Sequence, residues 1–243
     1  MESSHLKKIR LYGPIQFFKF LVREFHYKFW TQHVKNSYSQ LGEDIVVDNL
    51  LGFKKQGFYV DIGANDPVRF NNTFRFYKRG WCGINIEPDP VCFDLLSKKR
   101  SRDVNLNIGV GNEKMKAYFF RFEPHTLSTF SAISAKKYIK SGFKLVEKRK
   151  IHIYRLADIL SLHAANKKID FISIDTEGLD LDVLLTNNWK LFRPKVLCIE
   201  VNERTMIKRS LIKNNEEIVS FLKKVGYKEY FRNEINGIFI DVK

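Results

Sequence analysis

From Tyr38 onward, short runs of buried-type residues alternate with segments of helical spacing, and this alternation restricts the chain to few architectures. Phe58-Tyr59-Val60-Asp61-Ile62 is such a run, following Gly57 and stopped by Gly63. Asn71 or Asn72 then offers an N-cap for a helix to about Arg79. Cys82 to Ile86 reads as a second strand, and Pro88 opens a helix containing Phe93, Leu95 and Leu96. Val104 to Ile108 is a third strand, and Met115 to Phe122 an extra one. Ile169–Ile174 and Val196–Val201 are two more buried-type strands, separated by a helix around Leu179–Leu185. A helix over Glu216–Val225 precedes a closing antiparallel hairpin, Tyr227–Phe231 with Gly237–Val242. Strands alternating with helices require an α/β fold, a largely parallel sheet covered on both faces.

Composition excludes several classes. A hydrophobic fraction of 44% rules out a disordered chain, and 6 prolines rule out a Pro-rich linker. No uncharged apolar run approaches the roughly 18 residues of a membrane span. Cys82, Cys92 and Cys198 lack metal-ligand spacing and read as reduced thiols of a cytoplasmic protein. The formal charge of +15 is concentrated: residues 1–38 carry +5 and residues 131–155 carry +7, whereas 39–130 and 156–243 are close to balance. Residues 1–37 are read as a basic, aromatic helical arm that either lies on a membrane surface or packs on the main domain, residues 38–243.

In an open α/β sheet, ligands bind beyond the carboxyl ends of the strands, so polar residues there are the first candidates. Asp61 ends the first strand, placed to hydrogen-bond a ligand, and Gly63 permits the tight turn that follows. The three-glycine pyrophosphate fingerprint is missing, which suits a nucleoside ligand. Glu87 ends the second strand, 26 residues on, where a carboxylate accepts from ribose hydroxyls and repels a 2′-phosphate; it also suits the positive end of the helix that follows. Asp175 and Glu177 stand at the tip of a third buried strand, where one carboxylate could act as general base on a hydroxyl; Glu177 and Asp180 equally read as first-turn helix charges.

Four stretches together resemble one family. They are Tyr38-Ser39-Gln40-Leu41-Gly42-Glu43-Asp44, Val60-Asp61-Ile62-Gly63-Ala64-Asn65, Gly80-Trp81-Cys82-Gly83-Ile84-Asn85-Ile86-Glu87-Pro88 and Ile174-Asp175-Thr176-Glu177-Gly178. In this order and spacing they resemble the FkbM-family S-adenosylmethionine-dependent methyltransferases. The resemblance implies a class I, Rossmann-like methyltransferase fold: a seven-stranded, mostly parallel sheet with an antiparallel last strand and helices on both faces. It implies O-methylation of a hydroxyl on a sugar, glycan or glycolipid. By position, Asp61, Gly63 and Asn65 would hold the methionine part of S-adenosyl-L-methionine, Glu87 the ribose, and Asn107 and Ile108 would border the adenine. Gln40 and Glu43 would wall the cofactor, and Asp175 would face the methyl group and acceptor, supported by Glu177. The usual Ser-Asn-Thr after the glycine loop is here Asn71-Asn72-Thr73.

A basic insertion near residues 123–155 falls where such folds shape their substrate sites, and an anionic acceptor, small or lipid-linked, is expected there. His125 in this insertion is the second candidate base, against the simpler reading as an exposed loop histidine. No metal is assigned, although Glu200 and Glu203 could join a carboxylate cluster around Mg²⁺. Two other classes stay open: a nucleic-acid methyltransferase, and a non-catalytic binding protein that kept the fold. No nucleic acid is expected, because the lysines lack a stacking pattern and no nucleic-acid module is appended. The chain is expected in the cytoplasm, with peripheral membrane contact through residues 1–37 as the arm's alternative.

Overall fold

The computed structural model describes residues 37–176, 178–201 and 209–243, with side chains from 215 in the last segment. The expected N-terminal arm lies outside these residues. The described chain divides into two units, Ser37–Met115 with His152–Lys243, and Lys116–Ile151.

The larger unit holds a seven-stranded sheet. Its strands are β1 (Phe58–Ile62), β2 (Cys82–Ile86), β3 (Val104–Leu106), β7 (Phe171–Ile174), β8 (Val196–Glu200), β9 (Tyr227–Arg232) and β10 (Asn236–Asp241). They lie in the order β3-β2-β1-β7-β8-β10-β9, parallel except for β10, which runs antiparallel to both neighbours. This is the class I methyltransferase arrangement that the resemblance implies.

The period-two alternation of the strands builds two cores. Phe58, Val60 and Ile62 of β1, Ile172 and Ile174 of β7, and Leu197 and Ile199 of β8 face one side. They are covered there by Ile159 and Leu160 of helix Leu156–His163, Val183 and Leu184 of helix Asp180–Leu185, and Ile218 and Leu222 of helix Arg209–Lys224. Tyr59, Phe171, Val196 and Cys198 face the other side, against Val47 and Leu51 at helix Glu43–Leu50 and Phe76 and Tyr77 of helix Phe74–Arg79. Successive residues of one strand thus bury on opposite sides, which is why the strands read as unbroken apolar runs.

Numbered along the chain, the helices are α1 (Glu43–Leu50), α2 (Phe74–Arg79), α3 (Pro90–Lys99), α4 (Ala132–Lys140), α5 (Leu156–His163), α6 (Asp180–Leu185) and α7 (Arg209–Lys224). Several boundaries move from their expected places. The N-cap of α2 is Thr73, but the amide oxygen of Asn71 accepts from the N–H of both Thr73 (3.0 Å) and Phe74 (2.8 Å), so Asn71 caps from two positions further out. Helix α3 starts at Pro90 rather than Pro88, because the Asp89 side chain accepts from Val91 N–H and makes Asp89 the cap. The third strand stops at Leu106; Asn107 turns the chain, and Gly109–Val110 (β4) pairs instead with Ile153–Tyr154. Helices α1 and α5 have no counterpart in the sequence reading.

In the smaller unit, β5 (Met115–Glu123) lies beside β6 (Lys144–Tyr154), and Phe122, Ala135 of α4 and Phe143 form a small core. Residues 131–155 therefore hold a helix and a strand where sequence reading gave only a basic insertion.

Candidate active site

Parallel register levels the carboxyl ends of three neighbouring strands: Ile62 of β1 pairs with Ile86 of β2 and with Ile174 of β7. The next residues along, Gly63, Glu87 and Asp175, therefore emerge side by side at one edge of the sheet. Backbone bonds fasten them. Gly63 and Ala64 N–H donate to the Ile86 carbonyl (2.9 and 3.2 Å), and Asp175 N–H donates to the Ile62 carbonyl (2.9 Å).

The turn after β1 uses the two residue types that take up left-handed backbone most readily. Gly63 has φ +78° and Asn65 φ +50°, both left-handed. Glu87 stabilises that turn, since its Oε2 accepts Asn65 N–H at 2.8 Å while Oε1 accepts Asp89 N–H at 2.7 Å. The carboxylate is 6% exposed, and burial pushes it up to about 7; the two N–H bonds pull the other way, and the charges of Asp89 and Asp61 add to the rise.

Asp61 is turned into the domain. Its Oδ2 accepts from Thr73 Oγ1 (2.7 Å) and Asn71 Nδ2 (3.1 Å). Burial raises its pKa, opposed foremost by the Arg100 charge. Asn71 also donates to the carbonyls of Ala64 (3.0 Å) and Asp66 (3.2 Å), so one amide ties the glycine loop to Asp61 and to the start of α2. This is what Asn71-Asn72-Thr73 does in place of Ser-Asn-Thr. Asn72 reaches the other way, donating to Ser173 Oγ at 3.1 Å.

Beneath this network lies Arg100, with a fully buried side chain. Its guanidinium donates to Thr73 Oγ1 (2.6 Å), Tyr59 Oη (3.0 Å), the Pro67 carbonyl (3.0 Å) and Asp103 Oδ2 (3.1 Å). Sequence reading missed it: in Lys98-Lys99-Arg100 at the end of an amphipathic helix it looks like a third solvated cation.

The remaining candidates divide. Asn107 donates its amide to the carbonyls of Glu87 (2.8 Å) and Pro88 (3.0 Å), fixing the turn after β2, and Ile108 is partly buried against the core. Glu43 is fully buried; it accepts from Leu41 N–H (2.8 Å), Asn233 Nδ2 (2.8 Å) and Asn236 Nδ2 (2.9 Å), linking α1 to the β9–β10 turn. Gln40 is half-buried in the turn before α1. The thiol of Cys198 is pushed up by burial, and then by the charges of Glu43, Asp175, Asp61 and Asp44. Asp180 opens α6 as the first-turn charge read from sequence, but it is 2% exposed; it accepts from Thr176 N–H (2.9 Å), Thr176 Oγ1 (3.0 Å) and Gly178 N–H (3.2 Å) and shapes the loop after Asp175. His125 is exposed in a short 3₁₀ turn of the smaller unit. Glu177 and Glu203 lie outside the described residues. Among the described residues, no group of three or more His, Cys, Asp or Glu side chains could hold a metal ion, and no helix is long and apolar enough to cross a membrane.

A cavity of about 350 Å³ opens at the opposite, amino end of the sheet, lined by Lys54, Phe58, Cys82, Lys168 and Asp170 among others. There Asp170 accepts from Lys54 Nζ (2.7 Å) and Phe58 N–H (3.1 Å), a structural clasp far along the strands from the level carboxylates.

The carboxylate edge fits an adenosine-type cofactor. Each oxygen of Glu87 accepts one N–H, which leaves each a further lone pair in a buried, poorly compensated carboxylate. Two vicinal hydroxyls of a ribose are the donors such a group lacks. Asp61 is similar: its Oδ2 is occupied, and among the described residues Oδ1 has no donor.

The chain is similar to several known proteins. Solved structures similar to this chain include the Methanococcus jannaschii fibrillarin pre-rRNA processing protein (14% identity, 84% of this chain and 74% of that one, TM-score 0.44). Others are an O-methyltransferase from Bacillus cereus in complex with SAH (12%, 99% and 90%, 0.43) and a TehB-like SAM-dependent methyltransferase from Corynebacterium glutamicum (11%, 91% and 98%, 0.41). No curated protein sequence matches. The methyltransferase FkbM domain, however, matches residues 61–229, from Asp61 at the end of β1 into strand β9. The chain belongs to the FkbM family of S-adenosylmethionine-dependent methyltransferases.

Proposed function

We propose that the protein O-methylates a hydroxyl of an anionic sugar, glycan or glycolipid, with Asp175 as general base. The observation that carries this reading is the level register of Ile86, Ile62 and Ile174, which sets Asp175 beside the Gly63 turn and one strand away from it the ribose-type carboxylate Glu87. S-adenosylmethionine supplies an electrophilic methyl group carried on a sulfonium sulfur. Glu87 would accept from the ribose hydroxyls. The Gly63–Asn65 turn and Asp61 Oδ1 would take the methionine end. Asp175 would accept the acceptor hydroxyl's proton on its carboxylate as the oxygen becomes nucleophilic, and Asp180 would hold the Asp175–Gly178 loop in position.

The two families of carboxylate thus divide their labour by environment. Glu87 and Asp61 are buried and bonded, suited to binding; Asp175 is half-buried, where a proton can enter and leave. The basic stretch 131–155 supports an anionic acceptor. The deciding experiment is methyl transfer from S-adenosylmethionine to a panel of nucleotide sugars, lipid-linked glycans and neutral sugars, scored by the demethylated by-product. Turnover confined to anionic hydroxyl acceptors is expected; methylation of an RNA or DNA substrate in their place would discard the proposal.

A further inference from the structure

Helix α4 is short, basic and unusually apolar on the outside. Ser131 caps it, its hydroxyl accepting from Ser134 N–H at 3.1 Å. Ala135 and Tyr138, three apart, form its inner face: Ala135 is 1% exposed, and the Tyr138 ring meets Phe122 edge-on at 5.5 Å. The opposite face carries Ile133, Lys136, Lys137 and Lys140, at the i, i+3, i+4 and i+7 spacing of one helical side. Ile133 is 80% exposed, and the flanking Ile139 is 49% exposed. Among the described residues, none of the three lysines has a carboxylate partner; described ion pairs nearby join Lys144 to Glu123 and Arg149 to Glu147 instead.

An outward isoleucine beside lysines that meet no carboxylate among the described residues suits a partner that is both apolar and negatively charged. We infer that the outer face of α4 docks on an anionic phospholipid surface, Ile133 entering the headgroup–acyl boundary and Lys136, Lys137 and Lys140 meeting lipid phosphates. Charge complementarity supports it, since residues 131–155 carry a net +7. A soluble polyanion would engage the lysines and leave Ile133 without a role. Single-stranded nucleic acid would want open aromatic faces for stacking, whereas the exposed ring of Tyr118 is covered by Lys148 Nζ at 4.1 Å. The proposal does not depend on the identity of the methyl acceptor.

Vesicle sedimentation of the full chain tests it, without acceptor or cofactor. Binding to vesicles of phosphatidylcholine with phosphatidylglycerol, weakened by salt and absent on phosphatidylcholine alone, is expected. The triple variant Lys136→Gln, Lys137→Gln, Lys140→Gln should lose about 100-fold in partitioning, at about fivefold per lysine. Ile133→Ser, which keeps every charge, should lose about tenfold. All four positions are exposed, so thermal midpoints should match wild type. The inference is overturned if wild type stays in the supernatant, if both variants bind like wild type, or if poly(U) binds more tightly than the vesicles and loses affinity in the lysine variant.

Discussion

A β-carbon on Gly63 would stand 1.9 Å from the carbonyl oxygen of Asp175. The turn proposed to receive the methionine end and the residue proposed as base are thus packed backbone to backbone, and neither can move without the other.

Gly63→Ala should therefore damage both functions at once. The side chain meets a carbonyl rather than a flexible tip, and φ +78° is strained for any other residue. A loss of roughly 2–4 kcal/mol in stability is expected, with weaker S-adenosylmethionine binding and lower turnover. Urea unfolding and calorimetric binding measure the two; an alanine variant with wild-type affinity would show that the loop relaxes freely.

Asp175→Asn should separate chemistry from binding. Affinity for S-adenosylmethionine should stay within about threefold of wild type, while turnover falls by about 10²–10⁴. Single-turnover methyl transfer is the measurement, and an active asparagine variant would reassign the base.

Glu87, proposed to hold the ribose, should make cofactor binding pH-dependent. Its carboxyl is held at about 7 in the folded protein against 4.5 ordinarily. Ribose hydroxyls donate to the ionised form, so binding should release a proton near pH 7 and tighten between about pH 6 and 8. Calorimetry in two buffers of different ionisation enthalpy reads the proton directly. The sign for stability is the reverse. Because the folded pKa is raised, the folded state holds the proton more tightly than the unfolded chain. Stability from this group is full below about pH 4.5 and is lost as pH rises toward about 7, by about 3 kcal/mol in all. Glu87→Gln should flatten that part of the profile, and an unchanged slope would contradict the assignment.

Arg100→Met should be costly although it touches no ligand in this reading. It strands Thr73, Tyr59, Asp103 and the Pro67 carbonyl without their donor. Breaking a buried charged network in this way costs about 3–5 kcal/mol. Chemical denaturation checks it; a loss below about 1 kcal/mol would mean that water replaces the guanidinium.

Most of the architecture was legible in the sequence because strands buried on both sides must be continuously apolar, and glycines and prolines mark where they end. Seven strands of the main sheet, the antiparallel hairpin and the edge bearing Asp61, Glu87 and Asp175 follow from that pattern and from four motifs in order. What the pattern lacked were elements without a strong period. Helix α4 and strand β6 lie hidden in a basic run whose alternation of lysines looks the same for a solvated loop.

Side-chain fate was the other limit. Lys98-Lys99-Arg100 reads as one basic run, yet two lysines end a helix in solvent while Arg100 enters the core. Asp180 reads as a helix-start charge, which it is, and is also the clamp of the Asp175 loop. Asn71 reads as a cap and is also the tie between Asp61 and the glycine turn. The sequence by itself determined which residues stand at the ends of strands, because local periodicity and turn chemistry decide that. Which carboxylates are spent on the fold and which remain for a ligand was decided only by the tertiary structure, because burial and hydrogen-bond partners come from residues far apart in the chain.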